Sequence, residues 1–89
     1  MKIKKGFVLE EVADSYLACA TGKLAKSFSG FVRLNGTGAF LWRELSSGDK
    51  STEQLADALM REYEVDRDTA LRDAAAFVEH LMAAEILEG

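Results

Sequence analysis

The stretch Val32–Trp42 reads VRLNGTGAFLW, and it decides how the chain is organised. An alternating apolar run ends at Asn35, and a helical pattern with large apolar side chains begins immediately after it. The side chain of Asn35 can accept hydrogen bonds from the free amides of a new helix, and Gly36 and Gly38 let the backbone turn tightly. The stretch therefore predicts a junction at which a strand ends and a helix begins.

The residues before this junction have the pattern of β-strands. Two β-rich runs, Phe7–Val12 and Ser15–Ala20, flank a short turn and predict a hairpin. After a loop, Ser27–Leu34 predicts a third strand, and alternation divides it into two faces. One face carries Ser29, Phe31 and Arg33, and the other carries Phe28, Gly30, Val32 and Leu34.

The residues after the junction predict three helices. The first covers Gly36–Leu45. The second opens at Ser51, which stands at capping-box spacing from Gln54. Asp66 is a good N-cap for a third helix that reaches Ala84. The predicted fold class is α+β, a three-stranded antiparallel sheet followed by a three-helix bundle, and it is like a winged helix-turn-helix.

Length and composition restrict the classes of protein. The chain has 89 residues, 48% of them apolar, and no proline, so we expect a single domain over residues 1–89. No apolar run approaches membrane-spanning length, and no signal peptide follows the N-terminal lysines, so we expect no membrane partner. The single cysteine, Cys19, cannot form an internal disulfide, which favours a cytoplasmic location.

Charge is divided unevenly along the chain. Residues 1–34 carry six Lys or Arg and three Asp or Glu, a net charge of +3, whereas residues 35–89 carry five against twelve, a net charge of −7. A basic sheet suits an acidic extended partner, and random surface charge explains the same distribution equally well. The acidic half argues against a nucleic-acid partner.

The third helix carries two apolar stripes. One stripe consists of Ala70, Ala74, Phe77, Leu81 and Ala84, and the second consists of Leu71, Ala75, Val78 and Met82. Together they span about half of the helix circumference, more than one small core needs. Either both stripes are core, or the second stripe lines a groove beside the sheet. Both alternatives stay open, and we expect Val78 to line the groove.

The chain offers few residues for catalysis. Its only histidine, His80, falls on the solvent side of the third helix, and Cys19 fits best as a small buried side chain. One histidine and one cysteine cannot assemble a zinc cluster or a Cys–His nucleophile. Trp42 has the pattern of a core residue. We therefore expect no enzyme activity, no metal and no cofactor.

A winged helix-turn-helix protein that binds DNA is the alternative. The second and third helices would then form the DNA-binding pair, with a recognition helix that needs basic or amide side chains near its start. Here Arg67 and Arg72 stand among three aspartates, and residues 66–89 carry two basic against six acidic side chains. A phosphate backbone would be repelled, so the acidic charge disfavours DNA binding.

In order and spacing, the junction and several later segments resemble the PqqD-like family of peptide-recognition domains, also called RiPP recognition elements. The later segments are Thr52–Leu59, Glu62–Asp66, Ala74–Phe77, Leu81 and Ile86–Leu87. The subgroup that serves pyrroloquinoline quinone biosynthesis commonly has a Cys-Asp-Gly-like segment where this chain has Leu45–Asp49. The chain is therefore similar to the general stand-alone members.

The resemblance implies a function. Members are non-catalytic, and they present the leader of a ribosomally made precursor peptide to a modifying enzyme, often a radical-SAM enzyme. The leader adds as a strand to the edge of the third strand, in a cleft bounded by the third helix. Arg33 is either a partner for a leader carboxylate or an ordinary solvated residue. We expect a monomer, or a weak dimer through the edge strand. Carried over to this chain, the implied site comprises Ser29, Phe31, Val32, Arg33, Leu71, Ala75, Val78 and Met82.

Overall fold

The computed structural model describes residues 1–22 and 31–88 and confirms the predicted α+β fold. The strands Phe7–Val12, Ser15–Ala20 and Phe31–Leu34 form an antiparallel sheet in that order, and three helices follow it. The part of the predicted third strand that precedes Phe31 lies outside the described residues. The elements are β1 (Lys2–Ile3), β2 (Phe7–Val12), β3 (Ser15–Ala20), β4 (Phe31–Leu34), α1 (Gly36–Ser46), α2 (Thr52–Glu62), α3 (Arg67–Ala83) and β5 (Leu87–Glu88).

Each helix begins at the N-cap that the sequence predicts. The distance from the donating backbone amide to the capping oxygen is 2.7 Å for Gly38 to Asn35, 3.1 Å for Gln54 to Ser51 and 2.7 Å for Thr69 to Asp66. The amide of Ser51 also donates to the side chain of Gln54 at 2.8 Å, which completes the predicted capping box. These caps fix where the chain leaves the sheet and where each helix starts.

The core lies between one face of the sheet and the three helices. The sheet contributes Ala18, Val32 and Leu34, all buried. Trp42 is 4% exposed, so its prediction as a core residue is confirmed. The largest fully buried side chains come from the helices and the segment that follows them, and they are Leu41, Leu45, Leu55, Leu59, Leu81 and Ile86. The helices are thereby held against the sheet, and α3 lies beside its β4 end.

A second sheet joins the two ends of the chain, and the sequence did not predict it. Strand β1 pairs antiparallel with β5, with Lys2 opposite Glu88 and Ile3 opposite Leu87. The amide of Lys50 donates to the carbonyl of Met1 at 2.9 Å, which ties β1 to the loop between α1 and α2. Strands of two residues are too short to show a period, so pattern analysis cannot detect them.

Candidate functional site

Strand β4 forms one edge of the three-stranded sheet. It pairs with β3 on one side, and among the described strands none pairs with its other side. In an antiparallel sheet, alternate residues direct their backbone groups to opposite neighbours. One hydrogen bond fixes this alternation for β3, because the amide of Thr21 donates to the carbonyl of Gly6 at 2.6 Å. Counting back from Thr21, every second residue of β3 therefore forms its backbone hydrogen bonds with β2. The residues between them form theirs with β4.

This alternation identifies which backbone groups of β4 are turned outward. Ala18 and Tyr16 direct their backbone groups toward β4, where they stand opposite Val32 and Leu34. The amides and carbonyls of the intervening residues, Phe31 and Arg33, consequently point away from the sheet. An edge with outward amides and carbonyls is a template for another strand.

A groove of about 430 Å³ lies beside this edge, and we call it the edge groove. Its walls are the end of β4, the first turns of α1 and one side of α3. A volume of this size falls in the range of about 300–1,000 Å³ that is usual for ligand sites. The lining residues are Arg33, Leu34, Asn35, Thr37, Gly38, Leu41, Asp73, Ala76, Phe77 and His80.

The edge groove has an apolar floor and a charged rim. Leu41 and Phe77 are buried and form part of the floor, with 1% and 7% of their surfaces exposed. Asp73 and His80 are exposed at the rim. Arg33 lines the groove at the end of β4, and its side chain lies on the sheet face opposite Val32 and Leu34. The four α3 residues that line the groove occupy positions 73, 76, 77 and 80, which is the spacing of one helix side. Such a site suits an apolar side chain next to polar or charged groups.

The wall that α1 contributes depends on Gly38. A Cβ added there would lie 3.2 Å from Oδ1 of Asn35 and 3.3 Å from Cβ of Leu34. A Cβ added at Gly36 would have nothing within 4 Å. Only the second glycine of the junction is therefore required by close packing, and it lets the start of α1 approach the end of β4.

The predicted site residues on the third strand divide into two that lie at the exposed sheet edge and one that faces the core. Phe31 is 55% exposed and Arg33 is exposed, and both have outward backbone groups, so they lie where a partner strand would bind. Val32 is 8% exposed, faces the core and bonds to β3, so it contributes no free group to the edge. Ser29 lies outside the described residues.

The helix half of the predicted site lies away from the edge groove. Ala75 and Met82 are exposed, Leu71 is half-buried, and none of the four predicted residues lines the groove. Val78 is 7% exposed, belongs to the buried core and does not line the edge groove. Met82 instead borders a smaller apolar hollow of about 200 Å³ near the terminal strands.

Sequence reasoning missed Asp73, Ala76 and His80 as groove residues. It placed His80 on the solvent side of α3, and that residue is indeed exposed, but it also lines the groove. A helical wheel ranks sides by apolar content, and this side is partly polar. Its one available signal was the i, i+3, i+4, i+7 spacing of these residues with Phe77.

The described part of the chain shows neither a metal cluster nor a membrane-spanning helix. Residues 1–22 and 31–88 contain no group of three or more His, Cys, Asp or Glu side chains placed to hold a metal ion. None of the helices described above has the length and apolarity needed to cross a membrane. The edge groove is also larger than the hollow beside Met82.

Comparisons with known proteins place the chain among similar sequences and structures. A family model for coenzyme PQQ synthesis protein D (PqqD) matches residues 8–87. The structure of TbiB1 in complex with the TbiA(β) leader peptide has a TM-score of 0.77 and 31% identity, covering 100% of this chain and 96% of that chain. The structure of lasso peptide synthetase B1 complexed with the leader peptide has a TM-score of 0.74 and 25% identity, covering 99% and 96%. No curated protein sequence matches the chain.

Proposed function

The chain belongs to the PqqD family, and on that premise we propose that it is a non-catalytic domain that binds the leader of a ribosomally made precursor peptide. One observation carries the proposal: the outward backbone groups of Phe31 and Arg33 form a sheet edge that reaches the edge groove at Arg33. Both similar structures are described as complexes with a leader peptide. These comparisons, together with the acidic helical half, do not favour the winged helix-turn-helix alternative that binds DNA.

The leader binds by adding a strand to β4. Its backbone pairs with the amides and carbonyls of Phe31 and Arg33, which supplies affinity without regard to leader sequence. Successive side chains of the added strand point to opposite faces. Those that share the face of Val32 and Leu34 turn toward α3 and the edge groove, so the groove contacts every second leader side chain.

The edge groove sets the register of the leader. Its floor at Leu41 and Phe77 accepts an apolar side chain, and its rim at Asp73 and His80 accepts polar neighbours. Because these floor residues are part of the buried core, the site is formed before the leader arrives. A preformed site loses little conformational entropy on binding.

The enzyme that receives the leader belongs to this proposal as well. The family resemblance suggests a radical-SAM enzyme, whereas one similar structure is described as a lasso peptide synthetase B1. We favour an enzyme of lasso peptide synthesis, because the protein named lasso peptide synthetase B1 is the counterpart of this domain over 99% of this chain. Ribosomally made precursors are synthesised in the cytoplasm, and we place the domain there.

A leader titration followed by NMR tests the proposed function. The probe is a synthetic leader peptide from the precursor gene that neighbours the gene for this chain. Amide signals of Phe31–Leu34 and of α3 residues 73–80 should shift as the peptide saturates the protein. Shifts confined to α2 or to β1, or no shift up to about 1 mM peptide, would reject the proposal, since affinities weaker than millimolar are not specific recognition.

A pair of variants at Arg33 separates backbone pairing from side-chain contact. Arg33→Pro removes an amide that points away from β3, so the sheet should survive, as edge strands tolerate proline. Arg33→Ala removes the side chain and keeps the amide. We expect the proline variant to bind the leader at least about tenfold more weakly than the alanine variant, about 1.4 kcal/mol. Equal affinities for the two variants would exclude strand addition at this edge.

A further inference from the structure

The face of the three-stranded sheet that is turned away from the helices is unusually apolar. An antiparallel sheet with one covered face normally shows polar side chains on the other. Here Val8 is 40%, Val12 is 51% and Phe31 is 55% exposed, and all three lie on the uncovered face. The partly exposed Leu17 and Cys19 lie between them on the central strand. We call this surface the outer sheet face.

The strand register arranges the outer sheet face in rows across the three strands. In one row, Val8 stands opposite Cys19, which stands opposite Phe31. The next row has Glu10, Leu17 and Arg33, with an apolar side chain at its centre and opposite charges at its ends. The two charged residues are two strands apart, roughly 10 Å. No ion pair joins these two described residues within the chain.

We propose that the outer sheet face binds the same face of a second copy of this chain, in a weak symmetric dimer. The two-fold axis runs parallel to β3, so rotation exchanges the two edges of the sheet. Glu10 of each copy then meets Arg33 of the other, and Leu17 packs on Leu17. An axis across the strands would instead put Glu10 on Glu10, which like charges disfavour. The charge pattern therefore selects both the occupant and its orientation.

The size of the face limits the strength of this dimer. Three short strands offer less than the roughly 800 Å² per partner of a standard stable interface, so the dissociation constant should lie near 10⁻⁴ M. A leader strand adds in the plane of the sheet, at the side of β4, whereas the second copy stacks on its face. The dimer therefore goes beyond the proposed function and does not rest on it.

Sedimentation equilibrium on the whole chain tests the dimer. The apparent mass should rise from 9.8 kDa toward twice that value. The rise should fall between about 10 µM and about 1 mM protein. Glu10→Arg and Arg33→Glu should each weaken association at least about fivefold, and the double variant should restore it to within about twofold, because only the charges exchange places. Circular dichroism checks that each variant is folded.

Cys19 supplies a second, independent measurement. As the only cysteine, it lies next to the proposed axis, so two copies bring their thiols together across the interface. Stacked sheets are about 10 Å apart, and a bismaleimide of about that span should cross-link the wild type but not Glu10→Arg. A monomer at every concentration would overturn the proposal. A dimer insensitive to the charge changes and dispersed by leader peptide would also overturn it, since that dimer would use the β4 edge.

Discussion

Two sides of α3 contain apolar residues, and they differ in what lies opposite them. The groove side comprises Asp73, Ala76, Phe77 and His80, and the stripe side comprises Leu71, Ala75, Val78 and Met82. The stripe side is more apolar, yet the groove side is the one that lies beside the outward edge of β4. The rotation of the helix against the sheet edge, which core packing determines, decides which side of α3 lines the edge groove.

The groove side also shares its largest residue with the core. Phe77 is 7% exposed and belongs to the buried cluster, and it forms part of the groove floor. On the stripe side, Met82 is 62% exposed and contributes little to that cluster. Under the proposed function, stability and leader recognition therefore both depend on Phe77, whereas Met82 serves neither.

The largest expected effect comes from truncating the shared residue. Phe77→Ala should cost about 3–5 kcal/mol, as large-to-small core changes do. Against a domain stability of roughly 5–10 kcal/mol, that leaves the protein barely folded. Met82→Ala is the matched control on the stripe side and should change stability by less than about 0.5 kcal/mol. Urea unfolding measures both, and similar losses for the two variants would contradict the comparison.

Two adjacent alanines give the sharpest test of which side binds the leader. Ala75 and Ala76 are both exposed, but only Ala76 lines the edge groove. Ala76→Gln should obstruct the groove and weaken leader binding at least about tenfold, or 1.4 kcal/mol. Ala75→Gln has the same helix propensity cost and should leave affinity unchanged. Calorimetric titration measures the leader affinity of both variants. Weaker binding by Ala75→Gln than by Ala76→Gln would indicate that the leader binds the stripe side.

Local signals in the sequence were enough to predict the elements of the fold. Asn35, Ser51 and Asp66 could be identified as N-caps because a cap depends only on a side chain and the amides of the next turn. Alternation along β4 likewise predicted which side chains face the core. Each of these features is decided within a few residues.

Features that depend on distant contacts could not be predicted in the same way. The pairing of Lys2 with Glu88 joins opposite ends of the chain through strands of two residues. The rotation of α3 against β4 is decided by many core contacts at once, so a helical wheel does not identify the side that lines the edge groove. Val78 shows the consequence, since its position at the border of two stripes was compatible with core and with groove until the packing was known.

A smaller effect on stability is expected at the start of α1, which forms the wall of the edge groove opposite α3. Gly36→Ala has open space and should stabilise the protein by about 0.4–1 kcal/mol by restricting the unfolded chain. Gly38→Ala gains the same entropy, but the added Cβ displaces Asn35 or Leu34 and weakens a cap worth about 1 kcal/mol. The net change in stability for Gly38→Ala should therefore be zero or a loss. Urea unfolding of both variants tests this, and equal stabilisation would show that the junction is not tightly packed.

The smallest expected effect on stability concerns the N-cap of α3, which precedes both the groove side and the stripe side of the helix. The amide of Thr69 donates to Asp66 at 2.7 Å, and this hydrogen bond holds the pKa of the Asp66 carboxyl below its ordinary value of 3.8. A lowered pKa in the folded state means that the carboxylate stabilises the fold. That contribution is complete above the pKa of the unfolded chain and is lost as the pH falls through the folded value.

An asparagine in place of the acid would cap the helix without titrating, so Asp66→Asn is the matched variant for this prediction. Between about pH 5 and pH 2, the wild type should lose slightly more stability than Asp66→Asn, and the two unfolding curves should diverge only below the ordinary carboxyl pKa. The amide shift of Thr69 should titrate with a midpoint below 3.8 in the wild type, and this titration should be absent from Asp66→Asn. A midpoint at or above 3.8 would contradict the cap. A movement of the groove-side amides that Asp66→Asn abolishes would show that the cap controls the position of the whole helix, and the two sides of α3 would then respond to pH as one.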